Sequence, residues 1–188
     1  MKMRRGFKSE ANALARELRV ELNLRPTDRL DSFQLAEHLA IQVVPLSAFR
    51  SEASAMVRHF SRVDRYAFSA ITVFDGTTRI IVHNDSHSSG RQASNIAHEL
   101  SHGLLLHPPR PALNGNGCRD WDQEQELEAN WLAGALLIPD EAALLTVRRG
   151  LSLVEAAEVY GVSEPMMRFR LNVTAAAIRV ERSRRYGA

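Results

Sequence analysis

Cysteines, long apolar runs and repeated segments are scarce or missing in this sequence. Its 188 residues include a single cysteine, Cys118, which excludes a framework of intrachain disulfides. No run approaches the roughly 18 apolar residues that a membrane-spanning helix needs. Residues 1–25 mix charges throughout and lack the apolar stretch of a secretory signal. We therefore expect a protein of the reducing cytoplasm that has no membrane partner.

A strong excess of one charge is also missing. The 24 basic and 22 acidic side chains leave a formal net charge of +2, which does not by itself favour a nucleic-acid partner. Hydrophobic residues make up 45% and charged residues 24% of the chain, as is ordinary for a globular protein. This balance excludes a disordered tail protein, a collagen-like chain and a coiled-coil rod. The length corresponds to about one domain, which can bury a core without disulfides.

The predicted elements run in the order helices, three strands, helices. Apolar spacing and breaker residues predict helices at 9–22 and 32–39, strands at 41–44, 67–74 and 79–83, and helices at 89–107 and from Asp120 or Asp122 to 138. Asp75-Gly76 between the second and third strands is a strong hairpin signal. Residues 47–65 are ambiguous. We predict an α+β fold with a small sheet and helices on one side.

The segment His98-Glu99-Leu100-Ser101-His102 carries the clearest chemical signal. Positions i and i+4 of a helix share a face, so the two imidazoles can bind one zinc ion. Glu99 follows the first ligand and can reach a water on the metal, which predicts a general base. Apolar neighbours on both sides favour a buried helix. Two histidines on an ordinary helix are the alternative interpretation.

A third metal ligand is predicted on the following helix. Catalytic zinc takes three protein ligands and keeps one position open. Glu126 shares a helical face with Asn130, so we predict Glu126 as the third ligand. Asn130 is then expected to hold a ligand imidazole through its second nitrogen. Glu128 lies about 200° round the helix, where solvent or a basic partner is expected. Glu128 as the ligand, and an acidic helix start without metal, remain alternatives.

Two sequence blocks in this order are typical of one peptidase family. They are Arg91-Gln92 with 96–102 and Leu104-Leu105-Leu106-His107-Pro108, then Glu126-Leu127-Glu128-Ala129-Asn130 running on to Leu136-Leu137-Ile138-Pro139. Together they resemble the core of the ImmA/IrrE metallo-endopeptidases. The resemblance is strong over 71–139, and weaker in the N-terminal helices and over 152–171.

Some positions depart from the pattern of that family. Ser101 stands where the family usually has glycine, and Leu132 where it usually has phenylalanine. Ala93 and Ser94 are smaller than the residues usual there. These differences bear on efficiency and substrate fit. None of them removes a predicted ligand or the predicted base.

The resemblance implies a fold, a cofactor and a partner. The fold is a small zincin-like domain, with a short antiparallel or mixed sheet of about three strands packed on the helix that carries the motif. The cofactor is Zn²⁺, held by His98, His102 and Glu126. The activity is that of an endopeptidase in which Glu99 activates the zinc-bound water for attack on the peptide carbonyl. The implied substrate is a helix-turn-helix transcriptional repressor, whose cleavage derepresses stress-response or mobile-element genes.

The C-terminal residues 152–171 show a helix-turn-helix pattern. Arg168, Arg170 and the arginine-rich end of the chain permit a DNA-binding interpretation. Against it, Met166 and Phe169 make the second helix rather apolar, whereas a groove-reading helix presents polar groups to the bases. We expect packing or substrate docking, and direct DNA contact is a weaker alternative. The rival functions are a DNA-binding regulator, or a toxin–antitoxin or phage partner, with a structural or vestigial zinc site.

Three units are predicted along the chain. They are a metallopeptidase domain at 1–140, a helix-turn-helix-like unit at 141–174 and a flexible basic tail at 175–188. An additional donor should stabilise the oxyanion of the reaction, and the candidates are Tyr66, His59, His83 and Arg91. His107, five residues after His102, is expected to point elsewhere on the helix.

Overall fold

This computed structural model describes residues 3–76, 78–108 and 122–186, which form helices and a small sheet. The helices are α1 (Phe7–Glu21), α2 (Ser32–His38), α3 (Ser54–Arg58), α4 (Ser89–Leu104), α5 (Gln123–Leu137), α6 (Asp140–Arg148), α7 (Leu153–Tyr160), α8 (Glu164–Val173) and α9 (Ala176–Tyr186). The strands are β1 (Gln42–Pro45), β2 (Ala70–Asp75) and β3 (Thr78–His83). The segment 47–65, which was ambiguous from sequence, contains most of a 3₁₀ turn (Leu46–Phe49), then α3 and a π-helical turn (His59–Val63). The predicted α+β class is confirmed.

The strands form one mixed sheet in the order β1-β3-β2. β2 and β3 pair antiparallel, with Thr72 opposite Ile81, and β1 pairs parallel to β3, with Val43 opposite Ile81. The predicted hairpin is confirmed. Gly76 has φ 58°, a left-handed conformation that a tight hairpin turn requires and glycine adopts without strain. Because β3 lies between β1 and β2, β2 forms one edge of the sheet.

Helices α4 and α5 form the centre of the fold. α4 packs against β2, β3 and α5, and α1 covers another side of α5. Every residue from Trp131 to Ile138 is buried, as expected of a helix that is apolar on all sides. The two helices that carry the predicted ligands are thereby fixed to each other by the core.

The end of α4 differs from the prediction of a helix over 89–107. The helix ends at Leu104, and Leu106 follows with φ 54°. Because the chain reverses here, the amide of His107 donates to the carbonyl oxygen of His102 at 3.0 Å. The proline after His107 cannot extend a helix, which agrees with this early end. His107 consequently faces back towards the predicted site.

The C-terminal unit has the predicted helix, glycine turn and helix. Gly161 ends α7 with φ 63°, and the Ser163 side chain caps α8. Contrary to a DNA-reading role, Arg170 is completely buried. Its Nε donates to the carbonyl oxygen of Ile138 at 2.8 Å, and its guanidinium pairs with Asp140 at 3.2 Å. The Arg170 side chain is therefore not exposed for contact with a DNA backbone.

Residues 176–186 of the segment predicted as a flexible tail form α9. Ala176 and Val180 lie one turn apart and are buried, and α9 packs against α6. Arg179 pairs with Asp140 at 2.8 Å. One apolar stripe and one ion pair therefore anchor this segment to the rest of the protein. Its many arginines alone had suggested a solvated segment. The boundaries at 140 and 174 stay predictions.

Within the described ranges, no helix combines the length and apolar character required to cross a membrane. Cys118 and the possible cap at Asp120 lie outside the described residues. The other predicted cap, Asp122, begins α5 and accepts hydrogen bonds from the amides of Glu124 and Gln125.

Candidate metal centre

Three predicted ligands converge between α4 and α5. His98 and His102 lie one turn apart on α4, and Glu126 lies in the first turn of α5, four residues after the Asp122 cap. Their ligand atoms all lie within 4.8 Å of one another, and this is the only such group of His, Cys, Asp and Glu found among the described residues. All three side chains are about one fifth exposed, which leaves one side of the group open to solvent.

The spacing of these atoms fits a zinc ion. His98 Nε2 lies 3.1 Å from His102 Nε2 and 3.2 Å from Glu126 Oε2. His102 Nε2 lies 3.6 Å from Glu126 Oε1. Ligands about 2.0–2.1 Å from a tetrahedral zinc ion are separated from each other by roughly 3.3 Å. Two nitrogens and a carboxylate oxygen are also the donor set of many catalytic zinc sites.

The environment of His98 favours a positive charge at this point. Its Nδ1 donates to Asn130 Oδ1 at 3.1 Å, which leaves Nε2 directed towards the Glu126 carboxylate. Burial lowers the pKa of His98, but the Glu126 hydrogen bond, the charges of Glu99 and Glu126 and the Asn130 hydrogen bond raise it by more. The same groups that attract a proton here attract a divalent cation more strongly, because its charge is larger.

The predicted base, Glu99, is buried and held in place from the sheet. Thr72 Oγ1 on β2 donates to Glu99 Oε2 at 2.7 Å, and Glu99 is only 9% exposed. One carboxylate oxygen is thereby occupied by strand β2. Thr72 was not recognised in the sequence, where only its place in an alternating strand marks it as facing the same way as the buried Ala70.

Glu128 has the basic partner that was one of the two expectations for it. It is buried and pairs with Arg4 at 3.4 Å. Its second oxygen lies 3.5 Å from His107 Nε2. His107 Nδ1 in turn lies 2.9 Å from His102 Nδ1. The prediction that His107 points elsewhere is wrong, because α4 ends before it and the chain turns back.

A cleft of about 840 Å³ opens over the three ligands and Glu99. Thr72 and Phe74 of β2 line one side, and Met166 and Phe169 of α8 line another. The edge strand and the second helix of the C-terminal unit thus both contribute to the lining of the cleft at the candidate site.

Among the predicted oxyanion donors, Tyr66 lines this cleft. Arg91 lies 4.9 Å from the centre of the Tyr66 ring and donates to Ser69 Oγ. His83 is buried against Phe33, and neither His83 nor His59 is among the described residues that line the cleft. Tyr66 is therefore the candidate with direct access, and Arg91 supports its ring.

Comparison with known protein families agrees with this site. The model of the Peptidase_M78 family, described as the IrrE N-terminal-like domain, matches residues 36–172. The chain belongs to this family. No curated protein and no solved structure matches the chain.

The IrrE-like family is one of zinc metallopeptidases. Its match confirms the resemblance drawn from the two sequence blocks. The matched range includes α4, α5, α7 and all but the last residue of α8. The roles of the individual site residues stay predictions, which the geometry above supports.

Proposed function

We propose that this protein is a zinc-dependent endopeptidase that cleaves a partner helix-turn-helix repressor and so derepresses stress-response or mobile-element genes. One observation carries the catalytic part of this proposal. His98, His102 and Glu126 bring their ligand atoms within 4.8 Å of one another, beneath a cleft that Glu99 also lines. The repressor as target rests on the family resemblance.

The residues divide the chemistry among them. When bound, zinc supplies a Lewis acid that lowers the pKa of water and polarises the scissile carbonyl. Glu99 takes the proton of the attacking water on its carboxylate and then donates it to the leaving amine. Thr72 holds the other carboxylate oxygen, so that the free oxygen keeps one orientation. Tyr66 is the candidate hydrogen-bond donor for the oxyanion.

The walls of the cleft suit an extended peptide. β2 is an edge strand, and main-chain groups of a substrate can add to such an edge. Phe74 on that side and Met166 and Phe169 on α8 offer apolar contact for its side chains. This arrangement favours cleavage within a chain, because a peptide can add along the strand without presenting a terminus.

New protein N-termini reveal the substrate most directly. We expect cells that produce the wild-type protein to contain a fragment of a helix-turn-helix repressor that is missing from cells producing Glu99→Gln at equal level. Recombinant repressor and purified wild-type enzyme should reproduce the same cut. Identical N-termini in both cell lines, or a cut in an unrelated protein only, would contradict the proposed target.

Removing the Thr72 hydroxyl should slow catalysis without removing the metal. Thr72→Val keeps the shape of the side chain but deletes the hydrogen bond to Glu99, and bonds to charged groups contribute about 1.5–3 kcal/mol. We expect kcat to fall by about 10- to 100-fold, with bound zinc unchanged. Thr72→Ser, which retains the hydroxyl, should keep most of the rate. Equal rates for the Val and Ser variants would contradict a role for this contact.

A further inference from the structure

Two buried side chains connect the ligand His102 to an exposed arginine. His107 Nδ1 lies 2.9 Å from His102 Nδ1, and His107 Nε2 lies 3.5 Å from Glu128 Oε2. The other oxygen of Glu128 pairs with Arg4 at 3.4 Å. The His107 and Glu128 side chains are only 8% and 11% exposed. Neither is among the three converging ligand groups.

The protons on the two imidazoles, His102 and His107, have one consistent arrangement. If His102 binds a metal through Nε2, its Nδ1 carries the proton and donates it. His107 Nδ1 must then accept, which leaves the His107 proton on Nε2, the nitrogen that faces Glu128. The hydrogen bond from His102 to His107 therefore points outward from the ligand, and the N–H of His107 Nε2 faces Glu128 Oε2 at 3.5 Å. The negative charge of Glu128 polarises both imidazoles in the same direction.

The other histidine ligand, His98, has a different hydrogen-bond partner at its Nδ1. His98 Nδ1 donates to the neutral amide oxygen of Asn130, on the outer side of α5. His102 instead donates to an imidazole backed by a buried carboxylate. A metal-ligating histidine whose other nitrogen donates to a carboxylate is a stronger ligand and is fixed in one orientation. Here an extra imidazole extends that connection.

We propose that His107 and Glu128 are positioning residues that fix the tautomer and orientation of His102 and strengthen its bond to zinc. This inference rests on the proposed zinc site. Glu128, which the sequence left open as an alternative ligand, then does not bind the metal itself but acts on the ligand His102 through His107. The early end of α4 also has a role here, because only the chain reversal after Leu104 brings His107 onto His102.

The test measures zinc affinity of the full-length protein with zinc alone, in competition with a chelator. His107→Leu and His107→Asn form a matched pair, because the two side chains have similar shape and only Asn offers an acceptor near the position of Nδ1. We expect His107→Leu to weaken zinc binding by about 10- to 100-fold, and His107→Asn to recover most of that loss. His38→Leu is the control, since His38 pairs with Glu21 at 2.8 Å on the surface and should leave zinc affinity unchanged.

Coupling between the two residues is tested by a double variant. Glu128→Gln should weaken zinc binding in the wild-type background but add little in the His107→Leu background, because Glu128 acts through His107. In the zinc-loaded wild-type protein, ring-nitrogen NMR should show His102 protonated at Nδ1 and coordinated through Nε2. This spectrum does not depend on whether any variant folds.

The outcomes separate this inference from the proposed function. A wild-type protein that binds no zinc overturns both. Zinc binding of wild-type strength in His107→Leu overturns the role of His107 alone. Coordination of zinc through His102 Nδ1 also overturns it, because the geometry above requires a proton on that nitrogen. Equal losses in the Leu and Asn variants indicate packing only and contradict the positioning role.

Discussion

Glu99→Gln is expected to abolish peptide cleavage while zinc remains bound at wild-type stoichiometry. Glutamine keeps the size of the side chain and can still accept the hydrogen bond from Thr72 Oγ1. It cannot take a proton from water, and positioned general bases contribute about 10²- to 10⁴-fold in rate. We expect kcat/KM to fall by at least that range, because the same carboxylate also delivers the proton to the leaving amine.

The measurement is the initial rate of repressor cleavage beside the zinc content of the same preparation. Glu124→Gln is a matched control on the exposed start of α5 and should retain both activity and metal. If Glu99→Gln cleaves at the wild-type rate, Glu99 is not the base. If it loses zinc together with activity, the separation of base and ligands described above is wrong.

Glu126→Ala is expected to have the largest effect on metal binding. Glu126 is the only carboxylate that lies within about 4 Å of both ligand imidazoles among the described residues, at 3.2 Å and 3.6 Å. Removing one of three protein ligands should weaken zinc binding by more than the 10- to 100-fold typical of a group behind a ligand. Cleavage should be lost with the metal.

Chelator competition on Glu126→Ala and Glu128→Ala distinguishes the two acidic residues. Both variants remove one carboxylate from the same helix, and only Glu126 contacts His98 and His102. We expect the Glu128 variant to retain measurable zinc binding with reduced affinity. The opposite order, with Glu128→Ala the weaker binder, would make Glu128 the ligand and contradict the assignment.

Local spacing accounts for the parts of the site that the sequence predicts. His98 and His102 share a face because a helix repeats every 3.6 residues. The same rule places Glu126 beneath Asn130, and Asp122 begins the helix that carries both. The Asp-Gly hairpin depends on two neighbouring residues. Each of these predictions uses interactions within a few positions of the chain, where periodicity and turn chemistry are decisive.

Tertiary packing decides the parts that the sequence does not predict. The contact of His107 with His102 depends on where α4 ends. The burial of Glu128 depends on the positions of His107 and Arg4, which both pair with its carboxylate. Arg170 is an arginine that the sequence alone would place at the surface, yet it is buried, with the carbonyl oxygen of Ile138 and the carboxylate of Asp140 as partners of its Nε and Nη2. Buried charges of this kind require partners distant in sequence, which helical periodicity does not reveal.

The most direct test of the account is the position of zinc itself. Crystals of the full-length protein grown with zinc, measured on both sides of the zinc absorption edge, locate the ion by anomalous scattering. We predict one peak about 2.0–2.2 Å from His98 Nε2, His102 Nε2 and a Glu126 carboxylate oxygen, with Glu99 beside its open side. A peak held by Glu128 or by other residues, or no peak at saturating zinc, would contradict the central claim.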